Sequence, residues 1–528
     1  MHTRNITFRN SLGWVAVFLA SRLITGCTIS ENKQKPLVTG LGGDQLAAKY
    51  CSACHLKPDP AALDKKTWIS GVLPNMSQYL GIKYYDHEPY LDAGYAPDSS
   101  LGPPPPHSFL SLADWKKLVD YYVRHAPDSL GGQGRPPVRR ETGLFRGYPV
   151  QVPAHGFPST TYVKIDPGNH RVYAASGFDS SLNVYDRRGH LLGHTPLGAI
   201  VVDMQFRQSL AGPGPRSGIF THIGIMNPND QRTGSVRGFE LSQAGRVQPL
   251  PVLFDSLQRP VQVLEADLNQ DGRPDYLVCA FGNRYGRLSW MENKGGGRFT
   301  AHLLRNLPGA IRACVQDMNG DGLPDVVVLM AQAQEGLFLF TNQGHGTFAQ
   351  SDLLLFPPEY GSSYFELDDF NGDGHPDILY TCGDNADYSS GLLKNYHGVY
   401  IFLNDGANHY SRRYFFPLHG CYKAVAGDFD GDGDLDLAAI SYFPDYRHQP
   451  QESFVYLENR GDFQFEPFTI PEFAAGHWIS MDAGDVDGDG DTDLVLGSLI
   501  PPVAHLAGPL AAKPGPATSL LILENRSR

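Results

Sequence analysis

One nine-residue pattern recurs five times in this 528-residue chain, and any fold must house every copy. The last copy reads Asp485-Val486-Asp487-Gly488-Asp489-Gly490-Asp491-Thr492-Asp493. The others are Asp267-Leu268-Asn269-Gln270-Asp271-Gly272-Arg273-Pro274-Asp275, Asp317-Met318-Asn319-Gly320-Asp321-Gly322-Leu323-Pro324-Asp325, Asp369-Phe370-Asn371-Gly372-Asp373-Gly374-His375-Pro376-Asp377 and Asp428-Phe429-Asp430-Gly431-Asp432-Gly433-Asp434-Leu435-Asp436. Carboxylate or amide side chains stand at positions one, three, five and nine, with glycine at six. The spacing turns alternate side chains inward, so several hard oxygens converge and repel one another unless a cation intervenes. Calcium takes six to eight oxygens at flexible angles. The expected ligands are therefore these four side chains plus the backbone carbonyl of the seventh residue: Arg273, Leu323, His375, Asp434 or Asp491. Up to five Ca²⁺ ions are expected. The bland alternative is a set of Asx-rich turns without metal.

The first aspartates recur at intervals of 50, 52, 59 and 57 residues, a period that points to propeller blades or another repeat array. An EF-hand loop matches only the first six positions. Its twelfth carries a bidentate glutamate, where this chain has Val278, Val328, Tyr380, Ala439 and Leu496. The residues after position nine are apolar and β-prone, as in Tyr276-Leu277-Val278, so each loop opens a buried strand rather than a helix. In this combination the chain resembles the FG-GAP/VCBS repeat family, whose blades carry Ca²⁺ in the turn between their first two strands. The resemblance spans about residues 160–526 and implies a mainly β protein, a seven-bladed β-propeller.

Two earlier modules, Tyr162–Gly189 and Val201–Gly245, keep the strand pattern without the acidic loop, and no Ca²⁺ is expected in either. The seventh module stops at Leu520–Asn525 without an outer strand. Because an open edge invites pairing, a strand from about Phe145–Val152 is expected to close the ring.

A second motif lies ahead of the propeller. Cys51-Ser52-Ala53-Cys54-His55 follows a short helical stretch with Asp44 as its expected N-cap. Two thiols one turn apart can each add to a haem vinyl group, and the imidazole of His55 then reaches the iron. A thioredoxin-like reading would need a βαβ setting, and a zinc site would need a second ligand pair. The segment resembles the cytochrome c family, in which a first and a last helix pack beside the haem. Residues 44–51 and 112–125 fit those places, the latter with Leu112, Trp115, Leu118, Val119 and Tyr122 on one stripe and Ser111 at its start. The resemblance implies one covalent haem c and a sixth ligand on a loop. Met76 is the expected sixth ligand, with His87, His107, His125 or an open iron site as alternatives.

Met1 to Cys27 has Arg4 and Arg9 before a short apolar core, Leu12 to Ala20, too short to span a bilayer. Leu23-Ile24-Thr25-Gly26-Cys27 resembles a bacterial lipobox, which implies lipidation of Cys27, a membrane anchor and an exported, cell-envelope location. The expected organisation is a lipoprotein signal peptide at 1–27, a tether at 28–43, a small all-α cytochrome c-like domain at 44–127, a linker at 128–144 and the propeller at 145–528. As a whole the chain resembles Bacteroidetes-type lipoproteins that join these two modules. A net charge of −13 argues against nucleic acid as a partner, and five bound dications would offset most of it.

No nucleophile elbow, zinc-protease histidine pair or phosphate loop is present. Cys279, Cys314, Cys382 and Cys421 are expected as free buried thiols, and Asp384, Asn385, Asp387 and Tyr388 as a solvated end loop. Three functions remain open at this point. The chain is an electron-transfer protein whose propeller meets a redox partner or an extracellular ligand, an adhesion propeller with an accessory haem domain, or an oxidoreductase acting on a sugar or alcohol in the propeller channel.

Overall fold

The computed structural model describes residues 37–82, 105, 107–152, 156–207, 210–242, 245–386, 392–500 and 517–527. Cys27, His87, Asp387 and Tyr388, with the expectations attached to them, lie outside these residues. So does most of the proline-rich run from Gly102 to Pro106.

Period-two strands separated by glycine-bearing turns build seven four-stranded antiparallel sheets, the blades of a propeller. Blade three is typical, with strands Pro260–Ala266, Asp275–Ala280, Arg287–Asn293 and Phe299–Arg305 in sequence order. The second strands explain the apolar runs after each acidic loop. Every residue of Asp275–Ala280, Asp325–Met330, Asp377–Cys382, Asp436–Ser441 and Asp493–Ser498 is buried. A central strand covered on both faces has no polar alternation to show. Fourth strands such as Phe299–Arg305 are exposed or half-buried along most of their length instead.

The first strands of successive blades contact one another in a closed ring around the axis. One side chain at each junction ties that ring to the next blade's backbone. Tyr162 Oη donates to Met204 O at 3.1 Å, Arg312 Nε to Phe365 O at 2.7 Å and Lys423 Nζ to Met481 O at 2.8 Å. Asp203, Gln262, Glu366 and Asp482 accept from the amides of Val263, Ala313, Ala426 and Ile165 at 3.3, 2.7, 2.6 and 2.8 Å. All seven junctions are thus fastened by a polar side chain facing the axis. Buried backbone groups at the blade seams would otherwise lack partners.

Blade seven takes its outer strand from the chain's other end, as the sequence suggested. Phe145–Gln151 pairs antiparallel with Thr518–Asn525, with Phe145 opposite Asn525. Residues 135–142, expected as linker, lie along blade six. Arg135 forks onto Glu452 at 2.9 Å through both terminal nitrogens, and Thr142 N donates to Thr469 O at 2.8 Å.

Ahead of the propeller sits a small helical unit. Its first helix is Gly43–Tyr50 and its last Leu112–His125. The N-cap of the first is Gly42 rather than Asp44, because Gln45 Oε1 reaches back to the Gly42 amide at 3.0 Å. Trp115, Leu118, Val119 and Tyr122 of the last helix are buried, but Leu112 is 45% exposed. Asp114 takes an inward place instead. Its carboxylate accepts from the Thr39 amide at 2.8 Å, and its own amide donates to Ser111 Oγ at 3.1 Å. The helices cross closely at Gly43, where a Cβ would lie 2.5 Å from both Lys117 O and Tyr121 Cβ.

Candidate functional site

The acidic loops join first to second strands, so all five sit at one end of the propeller. Position six is glycine for a conformational reason, with φ of 81°, 81°, 83°, 96° and 91° at Gly272, Gly322, Gly374, Gly433 and Gly490. The first aspartate of each loop accepts from that glycine's amide, at 2.8 Å in Asp267, Asp317 and Asp369, 3.2 Å in Asp428 and 3.1 Å in Asp485. The fifth residue accepts from the seventh, as Leu323 N donates to Asp321 Oδ1 at 2.8 Å and Asp434 N to Asp432 Oδ1 at 2.9 Å. These bonds hold Asp317 and Asp373 below the usual carboxylate range.

The loops are not equivalent. Carboxylate oxygens of Asp428, Asp430 and Asp432 lie within 4.8 Å of one another, as do those of Asp485, Asp487 and Asp489. Three carboxylates that close suit a hard dication. In the three loops with asparagine at position three, the amide partly fills that role. Asn319 Nδ2 donates to Asp321 Oδ2 and Asn371 Nδ2 to Asp373 Oδ2, both at 2.9 Å, and Asn269 Nδ2 to Asp271 Oδ2 at 3.3 Å. Arg273 also folds its guanidinium onto Asp271, placing a cation beside the first loop. Arg187 from blade one reaches Asp487 at 3.0 Å.

The ninth aspartates are fully buried and fasten loop to blade. Oδ1 of Asp275, Asp325, Asp377, Asp436 and Asp493 accepts the amides of Asn293, Asn342, Asn404, Asn459 and Asn525 at 2.7, 2.7, 2.8, 2.7 and 2.7 Å. In four of them Oδ2 also accepts the position-two amide, from Met318, Phe370, Phe429 and Val486. Burial pushes Asp436 up to about 6 and Asp493 up to about 7. Each oxygen keeps a second lone pair, so anchoring does not use up the donor set. In the sequence these asparagines recur at the end of the third strand in each blade with an acidic loop, and nothing local ties them to those loops.

In the helical unit, Cys51 and Cys54 are unpaired thiols, the first half-buried and the second exposed. Burial pushes the Cys51 thiol up. His55 Nδ1 lies 2.7 Å from Leu56 O; a carbonyl can only accept, so Nδ1 carries the proton and Nε2 the lone pair. Burial also lowers the His55 pKa, favouring the neutral ring that a metal needs. Met76 lies in a helix, Leu73–Tyr79, rather than on a loop. It packs on the same apolar cluster as Tyr50 and Cys51. Of the alternative ligands, His125 is exposed and donates Nδ1–H to Tyr121 O at 2.8 Å. These residues fit a covalently held haem in donor chemistry, namely two free thiols a turn apart, a neutral imidazole with Nε2 available and a thioether beside an apolar cluster.

The unit sits on the end of the propeller opposite the acidic loops, because its partners lie in connections at the other ends of the strands. Asp59 N donates to Glu359 Oε1 at 2.9 Å, and Tyr396 Oη to Ala62 O at 3.1 Å. Leu392 joins the unit's apolar cluster, and the Arg284 guanidinium stands 5.3 Å from the Tyr79 ring centre. Asn385, expected in solvent, is buried, its amide donating to Leu392 O at 2.7 Å. Nothing in the repeat pattern marks Glu359.

Residues 267–328 and 317–380 match the model of the FG-GAP-like repeat. The structure is thus that of a seven-bladed propeller carrying FG-GAP-like repeats. A Plasmodium falciparum T-cell immunomodulatory protein homolog is 30% identical over 250 residues, which are 35% of this chain and 33% of that protein. The match thus spans about a third of that relative's length. Among solved structures, BBS1N in its complex with ARL6DN, soaked with lead, has a TM-score of 0.43 at 10% identity, covering 73% of this chain and 97% of that one. The Neurospora crassa Pan2 WD40 domain gives 0.43 at 10% identity, with 74% and 97% covered.

Proposed function

We propose that this chain is an exported, lipid-anchored c-type haem protein that transfers single electrons, with its propeller as a Ca²⁺-braced platform for a partner protein or ligand. A propeller of FG-GAP-like repeats suits a binding or adhesion platform. The observation that carries the haem reading is Cys51-x-x-Cys54-His55 at the end of a helix that crosses a second helix through Gly43, beside the apolar cluster that Met76 joins. Cys51 and Cys54 would hold the porphyrin, and His55 and Met76 would be the axial ligands. When bound, the haem supplies a one-electron ferric–ferrous couple. The protein's part would be to keep His55 neutral and oriented through Leu56 O, with Trp68 and Tyr122, ring centres 4.5 Å apart, packed in the apolar cluster beside Cys51. The axis-facing polar side chains already serve the blade seams, which counts against a substrate held in the channel.

Calcium in this reading is structural and sits first in the loops beginning at Asp428 and Asp485. Lipidation at Cys27 supplies the membrane attachment. The deciding experiment is a reduced-minus-oxidised spectrum and intact mass of protein made in a host that matures c-type cytochromes. Absence of a covalent haem adduct sinks the electron-transfer reading.

A second reading, adhesion with an accessory haem unit, is favoured by one observation. Phe157 and Phe178 meet edge-to-face at 4.8 Å and are 43% and 55% exposed on the helical unit's end of blade one. Exposed paired aromatics are typical anchors for protein contacts. Loss of ligand or cell-surface binding in the Phe157→Ser/Phe178→Ser protein, with haem retained, would separate this role from electron transfer.

A further inference from the structure

The geometry points to Glu359 as a redox-linked proton site, a propeller carboxylate that takes up a proton when the docked helical unit takes up an electron. This rests on the haem reading above. A short path of packed and hydrogen-bonded groups joins the two. Tyr122 packs in the same apolar cluster as Cys51, and its hydroxyl donates to Pro58 O at 3.1 Å. The next residue, Asp59, gives its amide to Glu359 Oε1 at 2.9 Å.

Glu359 is 3% exposed and its Oε2 has no hydrogen-bond partner. Backbone amides, its own and that of Asp59, are the donors to this carboxylate, and a buried Oε2 without a partner leaves the anion poorly compensated. The nearby cation compensates only in part, since Lys394 Nζ donates to the backbone carbonyl of Glu359 at 2.7 Å rather than to its carboxylate. The other groups facing it are Asp59, Tyr122, Tyr360 and Glu335, the last tied to Ser362 at 2.8 Å. Burial, ahead of these neighbours, lifts Glu359 to about 7 and Glu335 to about 8. An added electron in the adjoining unit makes the anion costlier still. The balance is simple. With haem bound, the one electron taken from an external one-electron donor would be matched by one proton taken up from solvent at Glu359, leaving the net charge unchanged.

The test is potentiometry on the full-length holoprotein from about pH 6 to about pH 8, around the raised value of Glu359. The covalent haem spectrum comes first; if haem is absent, the underlying reading has failed rather than this one. With haem present, the wild-type potential is expected to fall with pH, approaching the 59 mV per tenfold change of a one-electron couple. A flat wild-type profile overturns the proposal without any variant. Glu359→Gln is expected to flatten the slope while Glu335→Gln keeps it. A slope that survives in Glu359→Gln belongs to another group, such as a haem propionate, and overturns the assignment, as does flattening by Glu335→Gln alone. If Glu359→Gln does not fold, Glu359→Asp must move the sloping range along the pH axis; an unmoved range has the same force.

Discussion

Phe145 stands opposite Asn525 in an antiparallel pair, so the first residue of the propeller's outermost strand meets the last residue of its final strand. The pairing joins the two ends of the propeller sequence within one blade. Phe145 also packs edge-on against Phe429 and Tyr456 of blade six, with centroids 6.0 and 5.7 Å apart.

Phe145→Ala is therefore expected to destabilise the whole ring, by about 3–5 kcal/mol for a buried phenylalanine. Urea unfolding followed by tryptophan fluorescence measures it. A midpoint equal to wild type would mean that the closing strand adds little.

Calcium is expected to bind the five loops unequally. Asp428→Asn/Asp430→Asn should remove close to one Ca²⁺ per chain by elemental analysis and lower the melting temperature only in calcium-containing buffer. The loop at Asp267, where Arg273 already pairs with Asp271, should fill last in a calorimetric titration. Five identical sites would contradict this ranking.

Stability of the calcium-free protein should fall as pH rises from about 4, the unfolded aspartate value, to about 7. Asp493 and Asp436 are raised in the fold, so the folded chain holds more protons than the unfolded chain in that window. Unfolding free energy then declines with pH and levels off above it. Saturating Ca²⁺ should weaken or reverse the trend, because the cation competes with those protons. Melting curves with EDTA and with Ca²⁺ across the window check both signs.

Gly43→Val should force the first and last helices apart, since even a Cβ lies 2.5 Å from Lys117 O. The expected cost is about 1–3 kcal/mol from overpacking, with a lower haem-to-protein ratio and propeller strand content unchanged by circular dichroism. Wild-type haem loading would argue against close crossing as the reason for glycine.

Met76→Ala in the holoprotein should abolish the weak visible band of a methionine–iron bond and open the iron to added imidazole or cyanide. A band that persists would move the sixth ligand elsewhere.

Much of this was legible in the residues. The loop pattern of Asp485–Asp493 and the apolar run after it indicated the turn between first and second strands, because glycine at six and burial after nine are local demands. The closing strand followed from counting, since the seventh module lacked an outer partner. Ser111 as the last helix's cap was readable from its spacing to Asp114. Where the reading erred, a contact distant in sequence intervened. Leu112 sits on the helix's apolar side by periodicity, yet the inward place belongs to Asp114, which the Thr39 amide satisfies. Asn385 looks like loop surface until its amide reaches Leu392 O inside the fold.

The sequence by itself determined the blade number and the turn that carries the acidic loops, because every blade repeats a short local pattern of loop, buried strand and hairpin. Only the tertiary structure decided which polar side chains fasten the seven seams, that the ninth aspartates are anchored to asparagine amides, and that the helical unit rests on Glu359 and Tyr396 at the opposite end. Those bonds join residues from 17 to 334 positions apart. A hydrogen bond across such a separation is set by how whole blades pack, which no local pattern encodes.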